Sequence, residues 1–188
     1  MSKRRVVITG VGSVSPVGLN SVDAWRNVLN GVSGIAHIEH FDVPLFATRI
    51  GGSVRGFDAT QYVPEKELKK MDIFIHYGLA AGSQAFEDSG LEISEANADR
   101  VGVAIGSGIG GITGIEAGHS AYLGGGPRRI SPFFVPSNII NMISGNLSIK
   151  YGLKGPNFAV VTACATGTHC IGEALRIIQY GDADAMVA

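Results

Sequence analysis

The sequence predicts an α/β protein, a mostly parallel sheet covered by helices. Three observations carry that class. Short apolar runs recur at residues 6–9, 100–105, 157–163 and 185–188, each about the length of a buried strand. Between them lie longer stretches with helical signals, and strands that alternate with helices fold as parallel units. Hydrophobic residues make up 45% of the 188 and charged ones only 16%, so a substantial core is available.

Taken in order, Val6-Val7-Ile8-Thr9 reads as the first strand, closed by Gly10. After a loop to Gly18, Asn20 is placed to cap a helix with Asp23 in its first turn. Trp25, Val28 and Leu29 form its apolar face and Gly31 its stop. Residues 35–63 mix glycine, aspartate, proline and aromatics, and read as short strands and loops. Pro64 to Lys70 reads as a short charged helix, followed by a longer one from about Ile73 to Phe86. Arg100 to Ile105 is the second strand, opening into Gly106-Ser107-Gly108-Ile109-Gly110-Gly111. The stretch through Gly124-Gly125-Gly126-Pro127 and Ser131 to Pro136 shows no regular period and reads as irregular. A helix from about Asn138 to Tyr151 leads to the strand from Asn157 to Ala163. The next helix carries Ile171, Ala174, Leu175 and Ile178 at helical spacing and stops at Gly181. Ala185 to Ala188 is the last strand. Because the chain stops inside it, without a polar tail, the sequence is expected to be part of a longer protein.

Charge excludes some functions. Fifteen basic and 16 acidic residues leave a net charge of −1, with no global field to recruit nucleic acid. No apolar run reaches membrane-spanning length, and the N-terminus lacks a cleavage signature. Cys164 and Cys170, on one helix, face largely opposite ways and do not bridge. They also lack paired zinc-ligand spacing, so neither a metal site nor a cofactor is expected. The expected setting is soluble, reducing and cytoplasmic.

Four features bear on chemistry. Gly106 to Gly111 fits the GxGxxG pattern of dinucleotide binding, but the acidic strand end that should come about 20 residues later is replaced by glycine-rich loop. A tight loop packed against a neighbouring site explains it better. Lys66, Lys69 and Lys70 fall at i, i+3 and i+4, which is usually a solvated face and otherwise a docking face for an acidic partner. Of the five histidines, only His169 is near a cysteine in sequence, and five residues of helix rotate it away from Cys164. Cys164 itself stands where a strand gives way to small residues and then a helix. Helix N-termini favour the thiolate, so Cys164 reads equally as a nucleophile or as a core filler.

The segment Val161-Thr162-Ala163-Cys164-Ala165-Thr166-Gly167-Thr168-His169-Cys170-Ile171-Gly172 resembles the active-site signature of the beta-ketoacyl-[acyl-carrier-protein] synthases, the condensing enzymes of fatty acid synthesis. Residues 6–10 and 15–18, Gly106 to Gly111, Gly126 to Phe134 and Tyr180 to Asp184 match as well, and look like the synthase II type. The resemblance covers the whole chain and implies a thiolase-like fold, with residues 1–188 as the N-terminal half of a layered, duplicated and usually dimeric architecture. It implies acyl transfer from a carrier protein to Cys164, then decarboxylative condensation with malonyl carrier protein. Ile109, Phe134 and Ala163 would line or gate the acyl pocket, with Phe134 reaching across the dimer. Lys66, Lys69 and Lys70 would dock the acidic carrier. The family's two catalytic histidines and its lysine belong to a second half that this sequence does not contain, so the 188 residues alone are expected not to complete condensation. Two other classes stay in view: a dinucleotide oxidoreductase built on the Gly106 loop, and a carrier-binding scaffold without chemistry.

Overall fold

The computed structural model describes residues 4–188. Helix α1 (Ser21–Leu29) starts as its cap residue predicts: Asn20 Oδ1 accepts from Asp23 N at 2.8 Å, and Gly31 leaves the helix at φ +67°. Its apolar face does not find a core, however. Trp25, Val28 and Leu29 are all exposed. Strands β1 (Ile35–His37) and β2 (Ile50–Gly52) form a small antiparallel pair. The single turn α2 (Glu65–Leu68) leads into α3 (Ile73–Ser89), which ends at Gly90 in a left-handed conformation.

The central sheet has strand order β4–β3–β5, parallel throughout. Strand β3 (Val101–Ala104) lies in the middle and is buried at every position. Strand β4 (Asn157–Phe158) pairs with Val103 and Ala104, and β5 (Ala185–Val187) with Val101 to Val103. Val101 and Val103 pack with Ile75 and Leu79 of α3 and with Ile143 and Leu147 of α6 (Met142–Tyr151). Helix α7 (Thr166–Tyr180) packs on β3 and β5. Helices α4 (Ile112–Gly125) and α5 (Phe134–Asn138) complete the chain.

Four expectations need correction. Residues 6–9 pair with no strand, and Val7 and Ile8 are exposed. A strand exists only with a ladder partner. Here a cavity of about 540 Å³ is lined by residues 6–12 on one side and β5 on the other. The strand expected over 157–163 keeps only its first two residues in the ladder. The reason is Ser144, fully buried, whose Oγ accepts from Ile105 N at 3.0 Å and lies 2.9 Å from Phe158 O. Its hydroxyl wedges between the strand ends where a further ladder bond would form. The helix expected from Asn138 is split, with a break at 139–141 between α5 and α6.

The fourth correction is α4, where no regular element was expected. Its glycines hide the helical pattern, since each weakens a helix by about 1 kcal/mol relative to alanine. Packing overrides that cost. A Cβ on Gly114 would lie 2.1 Å from Asn138 Oδ1, and one on Gly118 2.5 Å from the Phe134 ring. The bare backbone lets α5 press directly onto α4.

One charged cluster closes the sheet end. Arg100 donates to Asp184 Oδ2 at 3.1 Å and Oδ1 at 3.0 Å, and to Gly181 O at 2.7 Å; Arg4 donates to Asp184 Oδ1 at 2.6 Å. Hydrogen bonds from Arg100 first, then from Arg4, hold the Asp184 carboxyl down to about 2, below its ordinary 3.8. A depressed carboxyl adds stability above its unfolded value and loses it as pH falls through the folded one. Acid titration of unfolding should therefore show a decline from about pH 4 to about pH 2. In Asp184→Asn the part of that slope due to this group should vanish.

Candidate active site

After Phe158 the chain runs irregularly to a 3-10 turn at Ala163–Ala165, which feeds directly into α7. Cys164 is the middle residue of that turn. Ala163 is at φ +49°, the only non-glycine with positive φ among the described residues. That conformation costs roughly 1–2 kcal/mol and persists only where neighbours over-determine it. They do so here. Thr166 is buried; its Oγ1 accepts from Thr162 N at 3.0 Å and donates to Ala163 O at 2.7 Å. Ala165 N also donates to Thr162 O at 3.0 Å.

The turn lifts Cys164 out as a free, exposed thiol at the start of α7, while Cys170 is buried in the core at 1% exposure. Within these residues Cys164 fills no core position, whereas Cys170 does. Negative charge developing on the sulfur or on a bound thioester oxygen would face the positive end of α7.

The glycine loop packs against this turn, as a tight loop and not as an open cradle. A Cβ on Gly106 would lie 2.1 Å from Val160 O and 2.8 Å from Thr166 Cγ2. Gly108 is farther out, its Cβ position 3.5 Å from Ala163 O. Ile109, at the loop tip, is exposed. The structure thus brings the Ile109 loop and Ala163 together.

The Phe134 backbone is linked to the end of the glycine loop through Asn138, and no hydrogen bond ties it to Ile109 or Ala163 among the described residues. Gly111 N donates to Asn138 O at 3.0 Å, and Asn138 Nδ2 donates to Phe134 O. Asn138 Oδ1 has no hydrogen-bond partner and faces the bare Cα atoms of Gly111 and Gly114. The Phe134 ring itself rests on Gly118 of its own chain.

The lysine face is smaller than the spacing implied. Lys66 and Lys69 are exposed, but Lys70 Nζ lies 2.9 Å from both carboxylate oxygens of Glu67 and 5.4 Å from the Phe133 ring centre. Sequence reasoning missed Asp72, which ties this face to helices α4 and α5. Its Oδ1 accepts from Phe74 N at 3.3 Å and its Oδ2 from Gly114 N at 2.7 Å, while its own N donates to Ser137 O at 3.1 Å. An aspartate just before a helix signals a cap, but the bond to Gly114 has no local signal.

None of the histidines contacts the sulfur. His37 and His40 line an open cavity of about 960 Å³ beside the β1–β2 pair. His76 is half-buried behind α2; burial pushes its pKa below the ordinary value, and its Nε2 is 3.3 Å from Leu68 O. His169 reaches Thr162, not Cys164. Among the described residues no group of three or more His, Cys, Asp or Glu could hold a metal ion, and no helix is long and apolar enough to cross a membrane.

The model of the beta-ketoacyl synthase N-terminal domain matches residues 3–188. The chain belongs to that family. The 3-oxoacyl-[acyl-carrier-protein] synthase 2 of Vibrio cholerae serotype O1 is 63% identical over 188 residues, all of this chain and 45% of the relative. The enzyme of the same name from Coxiella burnetii is 55% identical over the same span. The chain therefore spans about half the length of the curated relatives it matches. Among solved structures, the ishigamide ketosynthase/chain length factor superposes with a TM-score of 0.86 at 25% identity, covering 97% of this chain and 46% of that one. A type II polyketide ketosynthase in complex with its acyl-carrier protein gives 0.81 at 26% identity, covering 97% and 49%. The fold is thus thiolase-like, an α/β arrangement with a parallel sheet, as the resemblance implied.

Proposed function

We propose that this chain is the Cys-bearing N-terminal half of a 3-oxoacyl-[acyl-carrier-protein] synthase, and that Cys164 receives the acyl group from the carrier. The observation that carries this is the exposed thiol held on a strained turn at the start of α7. In the transfer, Cys164 sulfur attacks the carrier thioester carbonyl, a new thioester forms, and the carrier thiol leaves. The Cys164 backbone N–H, in the middle of the turn, would stabilise the oxyanion as it develops. Ile109, Ala163 and Phe134 give the acyl chain an apolar surround. Malonyl decarboxylation and carbon–carbon bond formation, which extend the chain by two carbons, are assigned to none of the five histidines here. We place the enzyme in the cytoplasm, consistent with two unpaired cysteines, and as a homodimer.

The test is incubation with acyl carrier protein bearing a thioester-linked acyl chain, followed by intact-mass measurement. A single acyl addition, released by hydroxylamine as a thioester is, supports the reading. A chain that gains no mass contradicts it.

The carrier is proposed to dock on Lys66 and Lys69, with Lys70 contributing less because Glu67 already pairs it. Reversing Lys66 and Lys69 together to glutamate should raise the KM for acyl carrier protein by about tenfold at low salt. The difference should shrink towards molar salt, where screening is strong. Lys70→Glu alone should have the smaller effect.

A further inference from the structure

We propose that His169 is a positioning residue for Cys164, acting through Thr162. This rests on the acyl-transfer reading of the same turn. His169 Nδ1 lies 3.3 Å from Thr162 Oγ1, and its Nε2 lies 3.8 Å from Glu173 Oε1, one turn further along α7. With its proton on Nε2, the ring offers Nδ1 as an acceptor for the Thr162 hydroxyl; Glu173 lies too far for a hydrogen bond to Nε2 and only biases the ring electrostatically.

Thr162 matters because it leads into the strained Ala163. Its own φ of −141° and ψ of 43° lie outside the regular strand and helix regions. Thr166 grips the backbone of Thr162 through its N–H. His169 grips the side chain. Both anchors come from the first two turns of α7, so the helix whose positive end faces Cys164 also sets the conformation that presents it. The imidazole makes no hydrogen bond to the sulfur, and its work is geometric.

The alternative roles make different predictions. An asparagine at 169 can place its amide oxygen near the position of Nδ1, whereas glutamine reproduces only the Nε2 end. Measured on the full chain, His169→Ala should lower the maximal rate of acyl transfer to Cys164 by roughly 10- to 100-fold, the scale of a misplaced reacting group, with KM for acyl carrier protein within about twofold. Thr162→Val, which keeps the shape and removes the hydroxyl, should match it, and the double variant should lose no more. His169→Asn should restore most of the rate and His169→Gln should not.

A second arm uses iodoacetamide in place of acyl carrier protein. His169→Ala and Thr162→Val should each slow alkylation of Cys164 by about threefold or more, because the thiol leaves its place at the helix start. If the unsubstituted chain takes no acyl group, the acyl-transfer reading fails, and alkylation still decides the positioning role. The proposal is overturned if His169→Ala transfers and alkylates within about twofold of the unsubstituted chain, or if His169→Asn is as impaired as His169→Ala. It is also overturned if Thr162→Val leaves both rates unchanged.

Discussion

Cys164→Ser is expected to lower acyl transfer by at least about a thousandfold. A serine hydroxyl needs a base to remove its proton, and general-base assistance contributes roughly 10²–10⁴-fold where it is present. No imidazole here is placed to give it. His169 directs one ring nitrogen at Thr162 and the other at Glu173. Cysteine does not need that help, because the thiolate is itself strongly nucleophilic and the start of α7 suits its charge. Cys170→Ala is the control. Its sulfur is buried at 1% exposure, so the exchange trims core packing and should leave the transfer rate within about twofold. Steady-state transfer assays on both variants distinguish the two cysteines. A serine variant that keeps a tenth of the rate would place the chemistry elsewhere.

Gly106→Ala is the second large effect. The added carbon would stand 2.1 Å from Val160 O and 2.8 Å from Thr166 Cγ2. The first of those is backbone and cannot swing aside. Either the glycine loop or the segment carrying the nucleophile turn must move. Overpacking of this kind costs about 1–3 kcal/mol, and a backbone clash falls at the upper end. Chemical denaturation should report that loss with an unchanged slope. Acyl transfer should fall by about 100-fold, since the displaced Thr166 also brackets Ala163. Gly108→Ala should do little by comparison, because its Cβ would meet Ala163 O at 3.5 Å, an ordinary contact. That contrast also separates the acyltransferase from a dinucleotide enzyme. A cofactor cradle would depend on Gly108 as strongly as on Gly106.

Much of this was legible in the residues, for identifiable reasons. The Asn20 cap, the Gly181 helix end and the β3 run are local signals, and local physics decides them. The start of α7 beside Cys164 was also readable, from small residues followed by helical spacing, although the strand expected to run up to it stops at Phe158. The features hidden in the sequence depend on contacts between distant segments. Ser144 shortens β4 from the side of another helix, and nothing near Asn157 announces it. Helix α4 forms because Asn138 and Phe134 fit against its glycines, the same glycines that made it look irregular. Asp72 and His169 show the same limit within the site. Each was visible as a residue type, yet its partner lies on another element or across a turn.

The most direct measurement is the location of the acyl group after incubation with acylated acyl carrier protein. Trypsin should release residues 155–176 as one peptide, bounded by Lys154 and Arg176 and containing both cysteines. Tandem mass spectrometry of that peptide assigns the adduct. A nucleophile at the start of α7 predicts the acyl mass on Cys164 and an unmodified Cys170. An acyl group on Cys170, or on neither cysteine, would contradict it.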